Sequence, residues 1–97
     1  MLDKTRGELR GIFALVKTPE EMESLLDGLL TPAEMQEFVN RWRIMQRLLR
    51  DEPQRQIARE LGVSLGTIAR GSRLLKYGPG RFRRLVERSL AAPPATP

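Results

Sequence analysis

Gln56-Ile57-Ala58-Arg59-Glu60-Leu61-Gly62-Val63-Ser64-Leu65-Gly66-Thr67-Ile68-Ala69-Arg70 has the spacing of two short helices joined by a tight turn. Each position has a physical reason. Ala58 is small where two helices must cross closely. Gly62 falls four residues later, where the turn needs a positive φ that costs other residues energy. Ser64 is placed to cap the second helix. Leu61, Val63 and Ile68 fill the space between the two helices. Together they predict a helix-turn-helix.

Working outward, the rest of the chain reads as helix, with no run of alternating β-branched and aromatic residues. Leu2, Leu9, Ile12, Phe13 and Val16 share one face of a first helix, with Leu15 at its margin. Thr18-Pro19-Glu20-Glu21 restarts the chain, with Thr18 as cap, Pro19 at the first helical position and Glu21 to complete a capping box. Met22, Leu25, Leu26 and Leu29 form the apolar face of the second helix, and Gly28 suits its end. Thr31-Pro32-Ala33-Glu34 repeats the start signal. The third helix carries Met35, Phe38, Val39, Trp42, Met45 and Leu49, widened by Ile44 and Leu48, and Asp51-Glu52-Pro53 stops it. A stripe that wide implies contacts on more than one side. The fourth helix is expected over 54–61, the fifth over 65–76 and the sixth over 80–91, where Phe82, Leu85, Val86 and Leu90 are apolar. Tyr77-Gly78-Pro79-Gly80 separates the last two.

The expected fold is therefore all-α, with six helices. Wide apolar stripes on a chain of 97 residues have too little of their own chain to cover them, which predicts a homodimer sharing its core. The expected organisation is a dimerisation core over 1–50, a reading head over 51–76, a C-terminal helix completing the core over 77–91 and a disordered tail over 92–97.

Charge is unevenly placed. Residues 1–40 hold four basic and eight acidic side chains, whereas residues 41–97 hold thirteen basic and four acidic, so a net charge of +5 conceals an acidic half and a strongly basic one. The basic half reads either as an electrostatic footprint for nucleic acid or as a set of solvated arginines. Cysteine and histidine are absent, which removes disulfides, thiolate chemistry, the commonest general base and the commonest metal ligand. An enzyme is the weakest reading, because Glu20 with Glu21 and Asp51 with Glu52 look like helix-end charges. No metal site is expected. The uncharged stretch Gly11 to Val16 is far short of a membrane span, and charges from Asp3 to Arg10 are unlike a secretory leader, so a cytoplasmic location is expected.

The second helix of a helix-turn-helix meets the major groove by its N-terminal end. Leu65, Gly66 and Ala69 are the positions expected nearest the bases, with Ser64 capping, Thr67 beside them, and Arg59 and Arg73 meeting phosphates. Gln54 and Arg55 open the preceding helix and are candidates for direct or phosphate contacts. The surface is poor in side-chain donors, so shape and water must supply much of any specificity. A non-specific architectural or adaptor protein is the alternative to a sequence-specific regulator.

From about residue 25 to 90 the sequence resembles the Trp repressor family. The anchors are Leu30-Thr31-Pro32-Ala33-Glu34, Arg41-Trp42-Arg43-Ile44, Leu48-Leu49-Arg50, Glu60-Leu61-Gly62 and Thr67-Ile68-Ala69-Arg70-Gly71-Ser72. The resemblance implies an interlocked homodimer of six helices per chain that represses transcription on a double-stranded DNA operator, with L-tryptophan as corepressor. It further implies that Arg41 and Arg70 sandwich the indole and that Arg70 holds the carboxylate. Gly71 would let the ring approach the helix backbone, the Gly28 and Leu30 carbonyls would face the ammonium, and Thr31 would lie over the ligand. Guanidinium groups suit both tasks, stacking on rings and forking onto carboxylates. The bland readings are an Arg41–Glu37 ion pair one turn apart and plain close packing at Gly71. Leu74 stands where tryptophan-responsive members have a serine, and the turn holding Pro53 is one residue shorter. Leu75-Lys76-Tyr77-Gly78 and Arg6-Gly7-Glu8-Leu9 resemble a shorter, Trp-repressor-like branch, for which ligand-independent DNA binding is the alternative.

Overall fold

A computed structural model of the chain describes residues 2–92. Among them are six helices and no strand: α1 (Leu2–Leu15), α2 (Pro19–Leu29), α3 (Pro32–Leu49), α4 (Gln54–Leu61), α5 (Leu65–Tyr77) and α6 (Gly80–Ala91). The all-helical class and every helix expected from the periodicity are present. The tail expected to lack structure lies, from residue 93 onward, outside the described residues. The chain divides into two units, residues 1–36 and 37–97.

In the first unit the two Thr-Pro starts behave differently. Thr31 and Glu34 make the full reciprocal box: the Glu34 N–H donates to Thr31 Oγ1 at 3.2 Å and the Thr31 N–H to Glu34 Oε1 at 2.9 Å. These bonds hold the Glu34 carboxyl below its ordinary range, because they favour the ionised form. At α2 only half the box forms. The Glu21 N–H donates to Thr18 Oγ1 at 3.1 Å, but the Glu21 carboxylate takes the Lys17 N–H at 2.9 Å. Gly28 does not end α2 as expected; the helix runs on through Leu29, and an extended Leu30 closes it by donating to the Leu26 carbonyl. Neither α1 nor α2 buries a residue. Ile12, Leu15, Val16 and Leu25 line an open groove of about 460 Å³ with Glu20 and Glu21 on it.

The second unit holds the core. Ile44, Ile57, Ala58 and Ile68 form one buried cluster, backed by Leu48, Leu61 and Val63. Met45, Leu75 and Val86 form another, backed by Leu48, Leu49 and Phe82. Ile57, Ile68 and Val86 are completely enclosed, and each such burial contributes about 1.5–3 kcal/mol relative to exposure. α3 ends in a Schellman turn: Glu52 N–H reaches the Arg47 carbonyl at 3.2 Å and Asp51 N–H the Leu48 carbonyl at 3.0 Å, with Asp51 left-handed at φ 59°. α4 also ends on a left-handed residue, Gly62 at φ 68° and ψ 35°, where the Val63 and Gly62 N–H groups both reach the Ala58 carbonyl.

The break between α5 and α6 rests on close approach. A methyl group placed on Gly78 would overlap the Leu74 carbonyl oxygen, the same atom that accepts the Gly78 N–H at 2.9 Å. The obstacle is backbone and cannot rotate away. Gly78→Ala is therefore expected to lower stability by about 1–3 kcal/mol, measured by urea unfolding; an unchanged midpoint would show that the α5 end relaxes freely.

Candidate nucleic-acid interface and ligand cleft

The helix-turn-helix is built as its sequence requires. Gly62 reverses the chain, Ala58 sits buried at the crossing, and Ile68 fills the interior. Ser64 Oγ accepts the Thr67 N–H at 3.1 Å and lies 2.9 Å from Thr67 Oγ1. This satisfies one of the otherwise unpaired N–H groups of the first turn of α5. Leu65, Gly66 and Thr67 stand exposed on that turn, while Ala69 is half-buried. Gln54, Arg55 and Arg59 are exposed on α4, and Arg73 is exposed on α5. A methyl group on Gly66 would meet only Ser64 Oγ, at 3.7 Å. Packing within the chain thus leaves room for a side chain there.

Of the residues expected around a small ligand, Arg41, Arg70, Gly71 and Leu74 line one cleft of about 410 Å³, together with Ile44, Met45 and Thr67. The cleft presents two guanidinium groups and one hydroxyl among apolar walls. Gly71 is buried, and a methyl group on it would lie 3.1 Å from Ile44 Cγ2. The close approach of α5 to α3 therefore accounts for this glycine without a ligand. Arg41 pairs with Glu37 at 3.6 Å, with both side chains about two-thirds exposed at 68% and 67%. An adjoining apolar hollow of about 380 Å³ shares Arg41, Met45 and Leu74 and adds Phe38, Trp42 and Phe82. Gly28, Leu30 and Thr31 belong to the first unit. There the Thr31 hydroxyl is engaged as the cap of α3.

Three features have no local signal in the sequence. Ile44 and Met45, part of the apolar stripe of α3, also line the cleft. Thr67, expected toward DNA, faces the cleft as well. Arg47 reaches from α3 to Glu52 at 2.7 Å and also pairs with Glu60 on α4. Glu60 further accepts from Gln56 Nε2 at 3.0 Å. Separations of five and thirteen residues lie outside the helical spacings from which side-chain pairs are read.

The fold and the exposed, capped second helix define a helix-turn-helix protein. Residues 7–90 match the family described as Trp repressor protein, and the chain belongs to that family, whose members are transcriptional regulators and not enzymes. A Trp operon repressor homolog of Vibrio cholerae is 40% identical over 94 residues, covering 93% of this chain and 91% of the relative. One from Chlamydia caviae is 33% identical over 82 residues, covering 84% and 81%. One from Vibrio vulnificus is 45% identical over 73 residues, covering 70% and 72%. No helix among the described residues is long and apolar enough to cross a membrane.

The Arg47 and Gln56 hydrogen bonds hold the Glu60 carboxyl below its ordinary range. A depressed folded value contributes stability above the unfolded value of about 4.3, and that contribution is lost as pH falls through the lower folded value. Glu60→Gln is expected to melt lower than the wild type at pH 7, with the gap closing below pH ~4. Parallel melting curves from pH 7 to 3 would show that the carboxylate contributes nothing.

Proposed function

We propose that the chain is a transcriptional repressor that occupies a roughly palindromic DNA operator as an intertwined homodimer in the cytoplasm. Residues 1–50 and 77–91 form the shared core in this reading, and residues 51–76 form the reading head. The observation that carries it is the Gly62 turn followed by the Ser64-capped, exposed first turn of α5, set in the basic part of a Trp repressor family chain. The unburied faces of α1 and α2 support the dimer, since each needs a partner to cover it. Gln54 and Arg55 contact base edges or phosphates, Arg59 and Arg73 contact phosphates, and Leu65, Gly66, Thr67 and Ala69 read the groove by close fit.

L-Tryptophan, or a related small molecule, is the proposed corepressor. Its ring lies between Arg41 and Arg70 and its carboxylate on Arg70, with Gly71 at the floor and Leu74 at the wall. Leu74 favours a second reading in which DNA binding needs no ligand, because an aliphatic side chain offers the ammonium no acceptor.

A duplex selected from a random pool should bind roughly a thousandfold more tightly than random duplex at equal salt. Equal affinities with equal salt slopes would instead establish a non-specific architectural protein. Gly66→Ala should raise stability by about 0.5–1 kcal/mol, as alanine does within a helix, while weakening binding to the selected duplex. Undiminished binding would remove Gly66 from the interface.

Calorimetry tests the ligand. Arg70→Ala should abolish tryptophan binding. Leu74→Ser should tighten it by an amount worth about 0.5–1.5 kcal/mol, the value of one added hydrogen bond. Tryptophan heat that is absent from both the wild type and Leu74→Ser would favour the ligand-independent reading.

A further inference from the structure

We propose that Arg47 is a positioning residue, a clamp that sets the attitude of the reading head by tying α4 to the C-terminal end of α3. The inference rests on the DNA-binding function proposed above, but its geometry stands apart from that reading. The Arg47 side chain is only 15% exposed, and one guanidinium serves two carboxylates, Glu52 at 27% and Glu60 at 47% exposure. The Arg41–Glu37 and Arg83–Glu87 pairs are of a different kind. They join residues one turn apart on a single helix, with side chains 45–68% exposed, and such pairs contribute little.

α4 needs an external tie. It has eight residues, and Pro53 at its N-cap makes no side-chain hydrogen bond, so it falls well below the length at which a helix persists alone. Ile57 and Ala58 anchor its inner face, but apolar contact is non-directional and leaves rotation about that face weakly determined. A planar guanidinium forked onto Glu52 in the preceding turn and Glu60 in the last turn of α4 fixes two points on different sides of that anchor. Gln56 braces Glu60 from within α4. Two residues after Glu60 comes Gly62, the turn from which α5 departs. The direction of the first turn of α5, and the exposed Gln54, Arg55 and Arg59 on α4, are therefore referred to α3 through Arg47. The same helix carries Arg41 on the ligand cleft.

The test uses the full chain as wild type, Arg47→Met, Glu60→Gln and the double variant, with the duplex selected by the wild type as probe. Each single variant is expected to bind about tenfold more weakly, and the double variant no more weakly than either, as for two halves of one contact. The salt slope is expected to stay that of the wild type, since a clamp touches no phosphate. Amide hydrogen exchange in the free protein should rise about tenfold in α4 and the first turn of α5, with α6 unchanged. Binding within twofold of wild type would overturn the clamp. So would a salt slope shallower by about one, the mark of a direct phosphate contact, or exchange rising equally in α4 and α6, the mark of general destabilisation. If the wild type selects no duplex, the functional reading fails and exchange alone decides: faster exchange confined to α4 and the first turn of α5 supports the clamp, and unchanged exchange overturns it.

Discussion

The reversal at Gly62 is the constraint on which the second unit depends. Its φ of 68° is accessible to glycine at little cost and unfavourable for a residue with a Cβ by about 1–2 kcal/mol. Without it the Val63 and Gly62 N–H groups cannot converge on the Ala58 carbonyl, and α4 and α5 cannot cross at Ala58. That crossing brings Ile57 and Ile68 into one cluster with Ile44 of α3. The turn thus organises three helices at once. It also leaves Ser64 to cap α5 with the next turn facing outward, so one backbone conformation links the core to the surface proposed to read DNA.

The first unit poses the opposite problem. α1 and α2 carry apolar faces that their own chain leaves open. Phe38, Val39 and Trp42 on α3 are likewise 48%, 42% and 40% exposed. A chain of this size has few ways to offset the entropy of ordering such helices. Sharing a core with a second copy is the economical one, and it would also set two reading heads at a fixed spacing. The uneven charge suits the proposed division of labour, since an acidic half given to the dimer core would have no need to approach a phosphate backbone.

The helices and the turn were legible because their causes are local. A proline after threonine, a glycine four residues beyond an alanine, and apolar residues at helical period each act within a few residues of themselves. The C-terminus of α2 departs from its local signal for the same reason. Gly28 has the composition of a cap, but Leu30 closes the helix with an ordinary extended backbone, which any residue adopts. The cleft was legible only in part. Arg41, Arg70, Gly71 and Leu74 followed from family resemblance, while Ile44 and Met45 line it because α3 and α5 approach closely at Gly71, which is a tertiary fact. The Arg47 contacts lay beyond any local pattern.

Arg41 shows how the bland and the functional readings of one residue coexist. Its partner Glu37 lies 3.6 Å away, and both side chains are about two-thirds in solvent, so the pair contributes at most a few tenths of a kcal/mol to 1 kcal/mol. A contact that weak neither fixes the guanidinium nor resists its departure. Arg70, on the facing helix, has no such tether in view of the cleft, whose described lining holds no carboxylate. An aromatic ring entering between the two would gain stacking on planar cations and lose little by breaking the Glu37 pair. A carboxylate on the same ligand would meet Arg70 without a competing anion. The ammonium of an amino acid is the less well served group, because Leu74 lines the cleft where the family resemblance puts a serine hydroxyl, and one acceptor is lost. The balance between these gains and that one loss decides whether the cleft takes tryptophan itself, and it turns on a single side chain.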